Sequence, residues 1–262
     1  MIEVNIEQLY SWMNAFLWPF IRVLALMATA PILSESSIPV RLKVGFAALI
    51  TIAVAPALGP MPNLPTGSLA AIWLALQQVF IGIGLGLTMR IVFAAVQTAG
   101  EFIGLQMGLS FASFFDPATG ANTAVLARIM NVVAMLMFLA INGHLVMISN
   151  LIHTFETLPI QQGSLDPNGW GLLFEWSSTV MVSGMLLALP LIIVLLTISL
   201  SLGILNRTAQ QLSVFAVGFP ITLLMGFILL AVVLPQTAPF LTRLIEDGLQ
   251  AMAGMAQALA GN

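Results

Sequence analysis

The sequence predicts an all-α fold, a polytopic helical membrane protein with about six hydrophobic, partly broken helices. Composition is the first reason: of 262 residues, 60% are hydrophobic and only 6% charged, with a mean hydropathy of +1.06. A soluble domain carries roughly 25% charge. The second reason is pattern. The apolar residues fall in runs long enough to cross a hydrocarbon core of roughly 30 Å, and those runs lack the strict alternation of barrel strands. In lipid, such runs satisfy their backbone groups only as helices. The same arithmetic excludes other classes. Seven Lys and Arg against ten Asp and Glu provide no basic surface for nucleic acid. Zero cysteines remove thiolate chemistry, and two histidines, His144 and His153, with scattered carboxylates offer no dense metal-ligand set. No cofactor is expected.

Glu3 and Glu7 open the chain where a cleaved signal would carry a basic region, so no targeting segment is assigned. The predicted spans run from Leu9 to Leu33, Leu42 to Leu58, Leu69 to Val96, Val125 to Ile152, Trp176 to Leu205 and Leu212 to Leu234. Arg41, Lys43, Arg90, Arg128 and Arg207 fall on one side when the first loop is cytoplasmic, which predicts both termini on the other side. Beyond the last span, Leu241, Leu244, Ile245, Leu249, Met252 and Met255 share one face at about 100° per residue. This tail helix reads first as an end-cap on the bundle, with a membrane or partner surface as the alternative.

Prolines and buried polar groups argue against plain lipid anchors. Pro19, Pro31, Pro39, Pro56, Pro190, Pro220 and Pro235 lie in or beside the runs, where each removes a backbone donor and bends or ends a helix. Gly100, Gly104 and Gly108 form a small-residue stripe that admits another backbone, from the same bundle or another subunit. Arg22 lies midway along the first span, and a charge at bilayer centre costs about 2.5–3.5 kcal/mol on insertion scales. Arg90, Gln97 and Glu101 share one helical face that cannot look at lipid, with Arg90 and Glu101 separated by about 16 Å of rise. On the fourth span, Asn131, Asn142, Ser149 and His153 are expected on one face. These stripes suit either inter-helix hydrogen bonding or a hydrated lumen.

Between the third and fourth spans, Phe111, Phe114 and Phe115 precede Asp116 and Pro117, followed by Gly120 and Asn122. The last four read as a turn. The phenylalanines need cover, either by packing a helix end or by obstructing a passage. A proton- or ion-coupled solute transporter would also need broken helices and buried charge, but no repeated halves are visible. No serine is paired with a histidine and no carboxylate dyad is evident, so no enzyme is expected.

The run Ala99-Gly100-Glu101-Phe102-Ile103-Gly104-Leu105-Gln106-Met107-Gly108-Leu109-Ser110-Phe111, followed by Asp116-Pro117, closely resembles the FliR family of flagellar type III export proteins. Ala30-Pro31-Ile32-Leu33-Ser34-Glu35 with Pro39, Ile141-Asn142-Gly143-His144, Ala188-Leu189-Pro190, Leu205-Asn206-Arg207, Gln211-Leu212-Ser213 and Gly218-Phe219-Pro220 resemble it in the same order. The resemblance covers nearly the whole chain. It implies an export-gate subunit of the flagellar basal body in the bacterial inner membrane. One copy would assemble with several of FliP and FliQ, associate with FlhB, and pass unfolded flagellar proteins. It also implies a FliP-like portion, about 1–189, with a plug loop at 108–123, and a FliQ-like helical hairpin and tail at 190–262. The closure role then falls on Phe111, Phe114 and Phe115, with Asp116 and Pro117 shaping the turn. Gly100, Gly104 and Gly108 would serve close packing around the pore. Glu101 would be a pore lining or an inter-subunit contact.

Overall fold

The computed structural model describes residues 6–59, 61–62, 64–65, 67–109, 125–161, 163, 165–208 and 214–261. Among these, all regular structure is helical. α1 is Ile6–Thr29, with Pro19 inside it, and it stops just before Pro31. There Ile32 takes φ 65°, and the Leu33 amide donates to the Pro31 carbonyl at 2.7 Å. This left-handed conformation is costly for a β-branched residue, and the Leu33 bond closes a tight turn around it. α2, Val40–Val54, starts directly after Pro39 and tightens into a 3-10 turn at Ala55–Ala57, around Pro56.

α3 is Leu69–Gln106, 38 residues and ten longer than the apolar run that predicts it, because Gln97 and Glu101 interrupt the hydropathy without interrupting the helix. Its stop is a glycine cap. Gly108 takes φ 83°, its amide donates to the Leu105 carbonyl and the Leu109 amide reaches the Gly104 carbonyl, each at 3.0 Å. This pairing satisfies orphan carbonyls and needs a left-handed residue.

The fourth expected span is two helices, α4 at Val125–Ala140 and α5 at Gly143–Thr157. Asn142 separates them with φ 58° and ψ 24°, a conformation asparagine tolerates better than most residues. The fifth is preceded by a separate short helix, α6 at Asn168–Ser177, whose first amide donates to Asp166 Oδ1 at 2.9 Å. α7, Thr179–Thr208, continues through Pro190, and α8 is Val214–Val233. A 3-10 turn at Leu234–Thr237 leads into α9, Ala238–Leu259. The six apolar residues read on the tail's face are all buried, so α9 caps the protein's own helices. Among the described residues, five stretches are long and apolar enough to cross a membrane, and α4 with α5 makes a sixth only as a broken span.

The chain divides into two compact units. The first comprises Met1–Ile91, Asn142–Ser177 and Glu246–Asn262, and the second Val92–Ile141 and Ser178–Ile245. In the first, Trp18, Leu26, Leu74, Ile81, Leu85, Met147, Leu151 and Met252 are buried. In the second, Val96, Ile103, Met107, Met130, Leu191 and Leu195 are buried, and Phe93 meets Phe138 edge-on at 5.6 Å between ring centres.

Candidate functional site

Small residues position the charged centre of the first unit. A Cβ on Gly82 would strike the Arg22 carbonyl and Ala25, and one on Gly86 would strike Thr29. The two glycines, one turn apart, therefore let the α1 backbone lie directly on α3, the role small residues play where no solvent-driven force joins helices. Gly84 leaves room instead for Met255 of α9 and Trp170 of α6. Trp176 Nε1 donates to the Thr88 carbonyl at 3.0 Å, fixing the far end of α6.

This close approach brings Arg22, fully buried, to the end of α5. Its Nε donates to Gln78 Oε1 at 2.8 Å. Nη1 donates to the Thr154 carbonyl at 3.0 Å and to Thr154 Oγ1 at 3.1 Å, and Nη2 donates to the Leu158 carbonyl at 3.0 Å. The guanidinium carbon lies 4.5 Å from the centre of the Phe155 ring. Two of these acceptors are carbonyls at the C-terminal end of α5, where the helix dipole is negative; the Thr154 oxygen also accepts from the Leu158 amide at 2.9 Å, and the Leu158 oxygen lies past the last helical bond. A rigid fork of donors suits that set, as an ammonium would not. Among the described residues the only side chains at ion-pair distance are His153 and Glu156, 2.9 Å apart and exposed. The Arg22 charge is thus balanced by dipoles and a ring face.

The remaining residues singled out in the sequence separate. Arg90, Gln97 and Glu101 are all exposed on α3. Asn131 is buried on α4 with its Oδ1 unmatched, whereas Asn142, Ser149 and His153 are exposed. The single face expected for these four does not form, because the left-handed Asn142 resets the helical phase between α4 and α5. The glycine stripe also divides. Gly100 lets α3 approach the Leu126–Ala127 backbone of α4, Gly104 has only ordinary contacts at 3.9 and 4.0 Å, and Gly108 is the cap. Phe111, Phe114, Phe115, Asp116 and Pro117 lie outside the described residues. The sequence reading missed Gln78, Thr154 and Phe155 as partners of Arg22. A usable signal was present on α1, where Asn14, Trp18 and Arg22 follow one another at one-turn spacing and all three are buried.

The family model for bacterial export proteins, family 1, matches residues 13–248. Flagellar biosynthetic protein FliR of Escherichia coli K12 is 54% identical over 247 residues, 94% of each chain. The chain belongs to the FliR family of bacterial export proteins. Membership extends to distant relatives: FliR of Pectobacterium carotovorum is 45% identical over the full length of both chains, and FliR of Bacillus subtilis is 30% identical over 83% of this chain and 85% of its own. The FliR-family match spans the Arg22 cluster, the Gly82 and Gly86 crossing and the α7–α8 hairpin alike.

Proposed function

We propose that this chain is a subunit of the flagellar protein export gate in the bacterial inner membrane, assembling with FliP and FliQ and associating with FlhB. The gate passes unfolded flagellar proteins. The likeness to flagellar FliR proteins over nearly the whole chain carries this reading. Two features support an assembled rather than a solitary protein. Arg90, Gln97 and Glu101 are exposed on a mostly apolar helix, where lipid would be a poor neighbour for charges and an amide. The α7–α8 hairpin also presents much of its apolar surface outward.

In this reading the chain has a FliP-like portion up to about residue 189 and a FliQ-like hairpin and tail after it. The segment 108–123 closes the passage. Phe111, Phe114 and Phe115 exclude water and ions at the constriction, Asp116 and Pro117 shape the turn, and the segment yields when substrate arrives. Glu101 lines the passage or meets a neighbouring subunit. The test replaces the three phenylalanines together with alanine in the assembled complex and records ion conductance. The expected result is a leak through the resting gate. Unchanged conductance in an assembly of verified composition would contradict the plug assignment.

A further inference from the structure

We propose that a cavity beside the Arg22 cluster is a resident water site that solvates the buried guanidinium through Gln78. The cavity, partly open to the outside, measures about 100 Å³ and is lined by Gln77, Gln78, Thr157, Leu158, Gly163 and Ala260, among others. That is several times the space of about 10–15 Å³ that a single water needs. Its chemistry is set by two amides. Arg22 Nε can only donate, so the Gln78 oxygen must face it and the Gln78 Nε2 donor is left over. Gln77 donates its Nε2 to the Gly163 carbonyl, which leaves its Oε1 as an acceptor. Both side chains are buried, at 2% and 5% exposure, and both line the cavity. A water there accepts from one amide and donates to the other. An acyl chain would leave both unpaired, which is costly in a low-dielectric interior.

The arrangement also answers a charge problem. No carboxylate lies within ion-pair distance of Arg22 among the described residues, and an uncompensated buried charge is tolerated only with extensive polar contact. Gln78 and Leu158 both bond the guanidinium and line the cavity, so water stands one group away from the charge on two sides. Gln78 is accordingly a positioning residue, polarised by water on one end and by Arg22 on the other.

A high-resolution density map of the chain purified with its co-expressed neighbours tests the site directly. Water peaks within hydrogen-bond distance of the Gln77 and Gln78 amides are expected, and a cavity that is empty or filled by lipid density overturns the proposal. A second measurement uses thermal stability in detergent. Ala260→Leu, which fills the cavity, should lower the melting temperature by about 4 °C in the natural chain and by less than half of that beside Arg22→Met. An equal loss in both backgrounds, or none in either, overturns the link between cavity water and charge.

Discussion

α3 and the α7–α8 hairpin are both strongly apolar, yet they dispose of that surface in opposite ways. In Leu69–Gln106, 61% of the apolar window is buried within the chain, against 22% in Asn168–Arg207 and 17% in Gly218–Leu259. Along α3, Gly82, Gly84, Gly86 and Gly100 are each filled from outside by a neighbouring element. Along α7, Gly184 meets the Ala95 carbonyl and Thr98, but Gly203 has nothing within 4 Å. Val182, Leu186, Leu189, Ile193, Leu196 and Leu200 are exposed on α7 at alternating steps of four and three residues, which keeps them on one side of the helix. Hydropathy therefore measures the tendency to insert, whereas closely crossed glycines and buried polar groups mark where a chain packs on itself.

The sharpest way to break this contrast is to add a side chain to one glycine in each region. Gly82→Leu should prevent α1 from lying on α3 and eliminate the monodisperse peak of the detergent-solubilised chain, a loss of about 3 kcal/mol or more by overpacking. Gly203→Leu should leave that peak unchanged. A similar loss from both would erase the distinction. Next in size is Arg22→Met, which removes the charge and leaves the Leu158 carbonyl and the Gln78 oxygen without their donor, while the Thr154 carbonyl keeps its bond from the Leu158 amide. A loss of about 1–3 kcal/mol is expected in thermal unfolding, whereas Leu196→Ala on the exposed face should change the isolated chain by about 0.5 kcal/mol or less. The smallest contrast lies within the glycine stripe. Gly100→Ala should destabilise by about 1 kcal/mol through its contact with α4, while Gly104→Ala should be neutral or slightly stabilising because alanine favours helix. A reversed order would show that the stripe acts elsewhere.

The helical class and the position of every apolar run were legible from composition and spacing, because a bilayer allows so few backbone solutions. The reading faltered at breaks that side chains and local backbone decide. Asn142 begins the short interruption Asn142-Gly143-His144 within the fourth run, and although Asn-Gly is a turn signal, the apolar residues on both sides outweigh it in hydropathy. Gln97 and Glu101 lower hydropathy and so suggested an end to α3 where the helix in fact continues to a glycine cap. Arg22 could be named as a buried charge from its place in α1, but its partners come from residues 56 to 136 positions away and include two backbone carbonyls, which leave no side-chain signature. The closure role proposed for the residues around Asp116 rests on family likeness, since a turn next to three aromatics also suits simple packing.

If the chain is a gate subunit as proposed, the apolar face that α7 exposes is subunit surface. A photo-reactive amino acid placed at Leu196 and activated in cells reads the neighbour of that face directly. With the export proteins FliP, FliQ and FlhB co-expressed, adducts to one of them should predominate, and they should vanish when the chain is expressed alone. Adducts to lipid only, in the same amount with and without those proteins, would contradict the claim.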